Sequence, residues 1–221
     1  MLSYIQHVLP FVAIIGYIYY PKNFRINPIL LHKLSIIHNS CLVVFSGATF
    51  ISLARILYNK GIVFQSNYYF QDTYFDKIIY YFYLSKYYEF FDTFLLYLNG
   101  KTPIFLQKYH HIGAVICWHL CYVYKVDAIW IGTTANAFVH TIMYSYYLSC
   151  LLNIKSIRVI KQYITSLQLI QLIVPACLDL YYYLPPIETR FKYSIIQFFC
   201  AYVSGLVYLF MKFYYKNYIK K

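Results

Sequence analysis

Seven apolar stretches, at roughly 2–20, 29–57, 74–98, 103–124, 128–152, 157–183 and 191–214, limit this chain's folds more than any other feature. Each is long enough to cross a hydrocarbon core of ~30 Å, which takes about 20 helical residues. With 61% of 221 residues hydrophobic and 12% charged, no soluble domain of this size would hide so much apolar surface. The spans fill almost the whole length, with no internal repeat and no low-complexity linker. Residues 1–221 therefore read as a single all-α integral membrane domain of seven transmembrane helices. Leu2 to Tyr20 lacks a basic leader and a cleavage site, so it reads as the first span. Thirty Tyr and eighteen Phe exceed what interfacial belts need, which places many of them inside the bundle.

Lys and Arg set the expected orientation. With an external or lumenal N-terminus, the cytosolic segments hold Lys22, Arg25, Lys101, Lys155, Arg158, Lys161, Lys212, Lys216, Lys220 and Lys221. The opposite side holds Lys60, Lys77, Lys125, Arg190 and Lys192, largely offset by Asp72, Asp76, Asp127 and Glu188. The C-terminus is thus expected in the cytosol. The net charge of +12 is scattered over membrane loops, which argues against nucleic acid and for lipid headgroups or an anionic substrate. All six cysteines sit in apolar stretches. Cys117 and Cys121 are one turn apart, and small packing residues explain them better than a metal pair.

Four stretches break the apolar pattern. In the third span, Lys86, Glu89 and Thr93 are one turn apart with Asp92 beside them, so their charges can neutralise one another; a purely structural ion pair is the alternative. Gln107, His110 and His111 share one face of the fourth span. In the fifth, Asn136, His140, Met143, Tyr144 and Tyr147 fall on one side. In the sixth, Thr165, Gln168 and Gln171 repeat every three residues, a spacing also used as interhelical glue. Counting from the span ends at 1.5 Å per residue puts Asp92, His110, His140 and Gln168 about 10–20 Å below the cytosolic boundary. Four segments bringing polar groups to one level imply a chamber open to the cytosol above a long acyl-chain tunnel. Lys101, Lys155, Arg158 and Lys161 can receive phosphates on a polar carrier.

In order along the chain, Lys86-x-x-Glu89-Phe90-x-Asp92-Thr93, Gln107-x-x-His110-His111, His140-x-x-Met143-Tyr144-x-Tyr146-Tyr147 and Thr165-x-x-Gln168-x-x-Gln171 resemble the motifs of the ELO family. These are the very-long-chain fatty acid elongases, 3-ketoacyl-CoA synthases of the endoplasmic reticulum membrane. The resemblance implies decarboxylative Claisen condensation of a long-chain acyl-CoA with malonyl-CoA, giving 3-ketoacyl-CoA, CoA and carbon dioxide. It makes His110 the nucleophile that carries an acyl-imidazole, and gives His140 malonyl-CoA orientation or the proton and enolate. Asn136, Gln107 and Tyr144 become oxyanion donors; His111, Lys86, Glu89, Asp92 and Thr93 become positioning residues. The family box usually opens with histidine, and the Gln107 form is similar to the subset acting on polyunsaturated chains. No metal or redox cofactor is implied, and separate reductase and dehydratase enzymes would complete the cycle. A homodimer stays open.

Two rivals are weaker. A di-iron desaturase or hydroxylase needs more histidines in more boxes than the seven here, of which only one pair is adjacent. A seven-helix receptor or transporter explains the span count but not histidines on the cytosolic side.

Overall fold

The computed structural model describes residues 2–19, 25–154 and 159–220. Eight α-helices run through them: α1 (Leu2–Ile18), α2 (Pro28–Lys60), α3 (Thr73–Tyr88), α4 (Phe90–Leu98), α5 (Phe105–Val123), α6 (Ile129–Leu151), α7 (Lys161–Tyr182) and α8 (Arg190–Tyr214). A π-helical turn, Tyr215–Ile219, extends α8. Every expected span is occupied by helix. By length and composition, three helices suffice to cross a membrane: Pro28–Lys60, Lys161–Tyr182 and Arg190–Ile219. α5 and α6 have the length but carry Gln107, Lys108, His110, His111, Asn136 and His140, which lower their apolarity.

One expectation needs correction. The stretch 74–98 is not a single helix, because α3 ends at Tyr88 and α4 starts at Phe90, with Glu89 capping the first and opening the second. Just before the break the Ser85 hydroxyl donates to the Phe82 carbonyl at 2.7 Å. Such back-bonding by serine bends helices. The break turns Glu89 inward while Asp92 aims along a different side.

Three helices stop with the same device. At the ends of α4, α5 and α6, Gly100, Lys125 and Asn153 adopt positive φ. The amides that follow reach back to the carbonyls of Leu96, Cys121 and Ser149. These double hydrogen bonds close the Schellman motif and reverse the chain in a few residues. α2 packs most extensively on α6, and α7 packs on both α6 and α8. The ends of α4, α6 and α8 and the starts of α2, α5 and α7 then meet at one end of the bundle, where they share a cavity. Away from that end the interior is filled by packed rings, including Phe82, Tyr83, Trp118 and Phe199.

Near the opposite end, buried Asp127 organises the loop after α2. Its carboxylate accepts from the amides of Tyr68, Tyr69 (3.0 Å) and Phe70 (3.3 Å). Burial pushes this carboxyl up from its ordinary range, against the opposing pull of the three amides. Replacing one oxygen by an NH2 leaves a buried donor facing a donor, at a cost of about 1–3 kcal/mol. Asp127→Asn is therefore expected to lower the thermal midpoint in detergent by roughly 2–10 °C, read from a melting curve.

Candidate active site

The shared cavity holds about 620 Å³. His110, His111, His140, Asp92, Gln107, Met143, Tyr144, Tyr147, Thr165, Gln168 and Gln171 all line it. Lys101 and Lys161 stand on its wall, whereas Lys155 and Arg158 lie outside the described residues. Lys86, Glu89, Thr93 and Asn136 sit behind the wall and hold what faces inward. Apolar walls come from Leu95, Ile164, Leu172, Phe210 and Phe213.

Behind the wall four side chains close a ring. Lys86, only 1% exposed, donates from Nζ to Glu89 Oε1 at 2.7 Å and to Asn136 Oδ1 at 2.9 Å. Asn136 Nδ2 lies 3.2 Å from His140 Nε2, and His140 Nδ1 lies 3.6 Å from Glu89 Oε1. The order of roles follows from the lysine, which can only donate. It fixes Oδ1 of Asn136 as the acceptor, so Nδ2 must donate to His140 Nε2. The His140 proton is thereby assigned to Nδ1, facing the Glu89 carboxylate. The Lys86 ammonium also stands 4.1 Å from the centroid of Phe82 and 5.0 Å from that of Trp118. A buried cation is thus matched by a carboxylate, an amide oxygen and two ring faces.

His110 is placed differently. Its backbone carbonyl accepts from Tyr202 at 2.9 Å. Its ring nitrogens have no hydrogen-bond partner among the described residues, although the ring lies 6.4 Å from that of His140 and 5.3 Å from that of His111. Gln107 Nε2 donates to Thr93 Oγ1 at 3.2 Å, and Tyr17 of α1 bonds the same oxygen at 2.8 Å. One N–H and the carbonyl of Gln107 remain for a ligand. Of the three expected oxyanion donors, Tyr144 gives its proton to Asp92 Oδ2 at 2.7 Å and Asn136 is held in the ring. Gln168 Nε2 reaches Met143 Sδ at 3.0 Å, while Gln171 Oε1 is buried without a hydrogen-bond partner among the described residues. At the rim, Thr165 meets Tyr218 of the terminal turn at 3.2 Å.

One wall residue, His38, and one residue behind the wall, Tyr17, escaped the sequence reading. His38 of α2 lines the cavity and bonds Asp92, which was expected to join Lys86 and Glu89. Tyr17 arrives from α1. A histidine inside an apolar span was itself a signal for the first; a tyrosine among thirty gave none for the second. Among the described residues, no three His, Cys, Asp or Glu are grouped as metal ligands.

These features define an all-helical membrane protein with a histidine-lined chamber at one end of its bundle. Residues 3–221 match the model of the ELO: GNS1/SUR4 family, and the chain belongs to that family. It is similar to the "Very long chain fatty acid elongase 2" of Rattus norvegicus, 34% identical over 149 residues, 66% of this chain and 53% of that one. It is also similar to the "Very long chain fatty acid elongase 5" of Xenopus laevis, 29% identical over 206 residues, 88% of this chain and 68% of that one. The "Very long chain fatty acid elongase 4" of Trypanosoma cruzi is 40% identical over 105 residues, 47% of this chain and 36% of that one. The chain thus spans about half or less of the trypanosome and rat relatives' lengths.

The ring carries a stability prediction. Removing one member of a buried ion pair costs about 3–5 kcal/mol, whereas replacing both by apolar residues is close to neutral. Lys86→Met should lower the thermal midpoint sharply, and Lys86→Met combined with Glu89→Leu should recover most of the loss in the same melting assay.

Proposed function

We propose that the chain is a fatty acid elongase of the endoplasmic reticulum membrane. All seven helical stretches would cross the bilayer, with the chamber and C-terminus at the cytosolic side and the N-terminus in the lumen. Its reaction would be the condensation of a long-chain acyl-CoA with malonyl-CoA to 3-ketoacyl-CoA, CoA and carbon dioxide. The observation that carries this reading is the contrast between two of the cavity imidazoles. His140 Nε2 takes the Asn136 amide and its Nδ1 faces Glu89 at 3.6 Å, while the His110 ring nitrogens beside it have no hydrogen-bond partner among the described residues.

In this mechanism a His110 ring nitrogen attacks the thioester carbon, the carbon–sulfur bond breaks, and the acyl group stays on the imidazole. The thiolate leaves with the electron pair and collects the ring proton, so loading is proton-neutral. Malonyl-CoA then loses carbon dioxide, leaving its electron pair on the α-carbon as an enolate. The enolate attacks the acyl carbonyl, the carbon–nitrogen bond to His110 breaks with its electron pair going to the ring nitrogen, and that nitrogen takes up one proton from solvent. Gln107, through its unused N–H, stabilises the developing oxyanion. His140, held as the Nδ1–H form by Asn136 and Glu89, fixes the second substrate's position. Lys101 and Lys161, together with Lys155 and Arg158, receive the CoA phosphates. The acyl tail lies against the apolar wall of Ile164, Leu172, Phe210 and Phe213. No metal or redox cofactor takes part in these steps. The 3-keto product would pass to separate reductase and dehydratase enzymes. The Gln107 form of the box favours polyunsaturated acyl chains.

The test is incubation of purified protein with radiolabelled malonyl-CoA and a panel of acyl-CoAs. Wild type is expected to release labelled carbon dioxide and form a 3-ketoacyl product, faster with polyunsaturated than with saturated chains. His110→Ala should do neither. Extension that persists in His110→Ala rejects the nucleophile assignment.

A further inference from the structure

A second cavity, of about 600 Å³, lies between α5 and α8. Tyr109 and Ile112, which line it, each follow a member of the polar box, Gln107 and His110, by two residues. That spacing puts them about 200° round the helix from the box, on the far side of α5 from the histidines. Phe105 and Ile116 of α5 and Phe198 and Ala201 of α8 also line it, and Phe105 and Phe198 are 68% and 50% exposed. The cavity is therefore a groove that opens to the outside of the bundle. From Lys108 to Ile116 it runs about 12 Å along α5. Of its ten lining residues Lys108 alone is charged, and the Lys108 ammonium has no ion-pair partner among the described residues. Lys108 stands within four residues of the start of α5, at the end of the bundle that carries Lys101 and Lys161.

Beneath the groove the two helices are interlocked. A Cβ on Gly113 would collide with the Tyr202 ring, and one on Gly205 with the Tyr109 hydroxyl, so each tyrosine takes the place of a side chain on the opposite helix. The two rings stack at 5.3 Å, Tyr109 donates to the Tyr202 carbonyl at 3.2 Å, and Tyr202 donates to the His110 carbonyl at 2.9 Å. Both tyrosines line the groove, so an occupant bears on this seam and on the backbone of His110. In a bilayer an outward apolar groove is filled by hydrocarbon. Here its one charged end is a cation at headgroup level, with its stem along apolar surface. Basic pockets between membrane helices select anionic headgroups. We propose that the α5–α8 groove binds one phospholipid of net negative headgroup charge. Its phosphate meets Lys108, one acyl chain lies against Ile112, Ile116 and Phe198, and the bound lipid fastens α5 to α8. This inference goes beyond the elongase reading and rests only on α5 and α8 crossing the bilayer.

The test uses the full-length protein in phosphatidylcholine nanodiscs that contain a trace of phosphatidylserine or phosphatidylcholine with a photoactivatable diazirine in its acyl chain. After illumination and digestion, the phosphatidylserine probe should be found on Ile112, Ile116, Phe198 or Ala201 in clear excess over the phosphatidylcholine probe. Lys108→Gln should lower that labelling by at least about fivefold. Lys33→Gln, which removes an exposed cation of α2, should leave it unchanged. Ala201→Phe fills the groove with every charge in place and should remove the labelling of Ile112 and Ile116. Unlabelled phosphatidylserine should raise the thermal midpoint of wild type in detergent by roughly 2–5 °C, and that of Lys108→Gln by none. Equal labelling by the two probes, labelling spread evenly over the other helices, or unchanged labelling in Lys108→Gln overturns the site. Failure of both probes to reach α5 or α8 contradicts the bilayer placement of these helices, and the site with it.

Discussion

A lysine and a glutamate buried together inside a helical bundle are the constraint on which the rest of this structure depends. At 1% and 2% exposure, neither charge of Lys86 and Glu89 can be left to water, so the fold must bring partners to them. The partners are Asn136 and His140 of α6, and the helix break at Glu89 turns the carboxylate toward them. Because lysine has donors only, the ring has one consistent assignment of amide orientation and imidazole tautomer. An electrostatic necessity in one helix thereby sets the tautomer of a histidine in another.

The same arrangement separates the duties of the cavity histidines. His140 is built into the ring, and His38 is built into a second, smaller array with Asp92 and Tyr144. His110 and its neighbour His111 lie outside both arrays, and His110 is anchored through its backbone carbonyl by Tyr202. Polar side chains crowd one end of the bundle because six helices begin or end there, the turns after α4 and α6 being closed by positive-φ residues. An amphiphile with a reactive junction between head and tail matches a polar chamber with apolar walls and lysines at its rim.

Much of this was legible in the sequence, and the reasons for the rest are physical. Apolar runs located the helices to within a few residues, and the spacing of Lys86 and Glu89 announced their pairing. The break at Glu89 was hidden because no glycine or proline marks it and the apolar pattern runs straight through 74–98. Spacing within one helix also suggested that Asp92 would serve Lys86. In the fold it faces the other way and meets His38, a pairing across 54 residues that periodicity cannot reveal. Thr93 was expected as a positioning residue beside Lys86 and Glu89. Its partners, Tyr17 and Gln107, come from other helices, so α1 helps orient the box that opens α5, which spacing within one helix does not reveal.

The central claim is that the buried ring withholds His140 from covalent chemistry and leaves His110 to perform it. Mass spectrometry of enzyme quenched after exposure to acyl-CoA alone tests this directly, because cleavage at Lys108 and Lys125 puts the two histidines on different peptides. The account predicts a single acyl group on the peptide that begins at Tyr109, with fragmentation placing it on His110. An acyl group on His140, or on neither imidazole while product still forms, would contradict it.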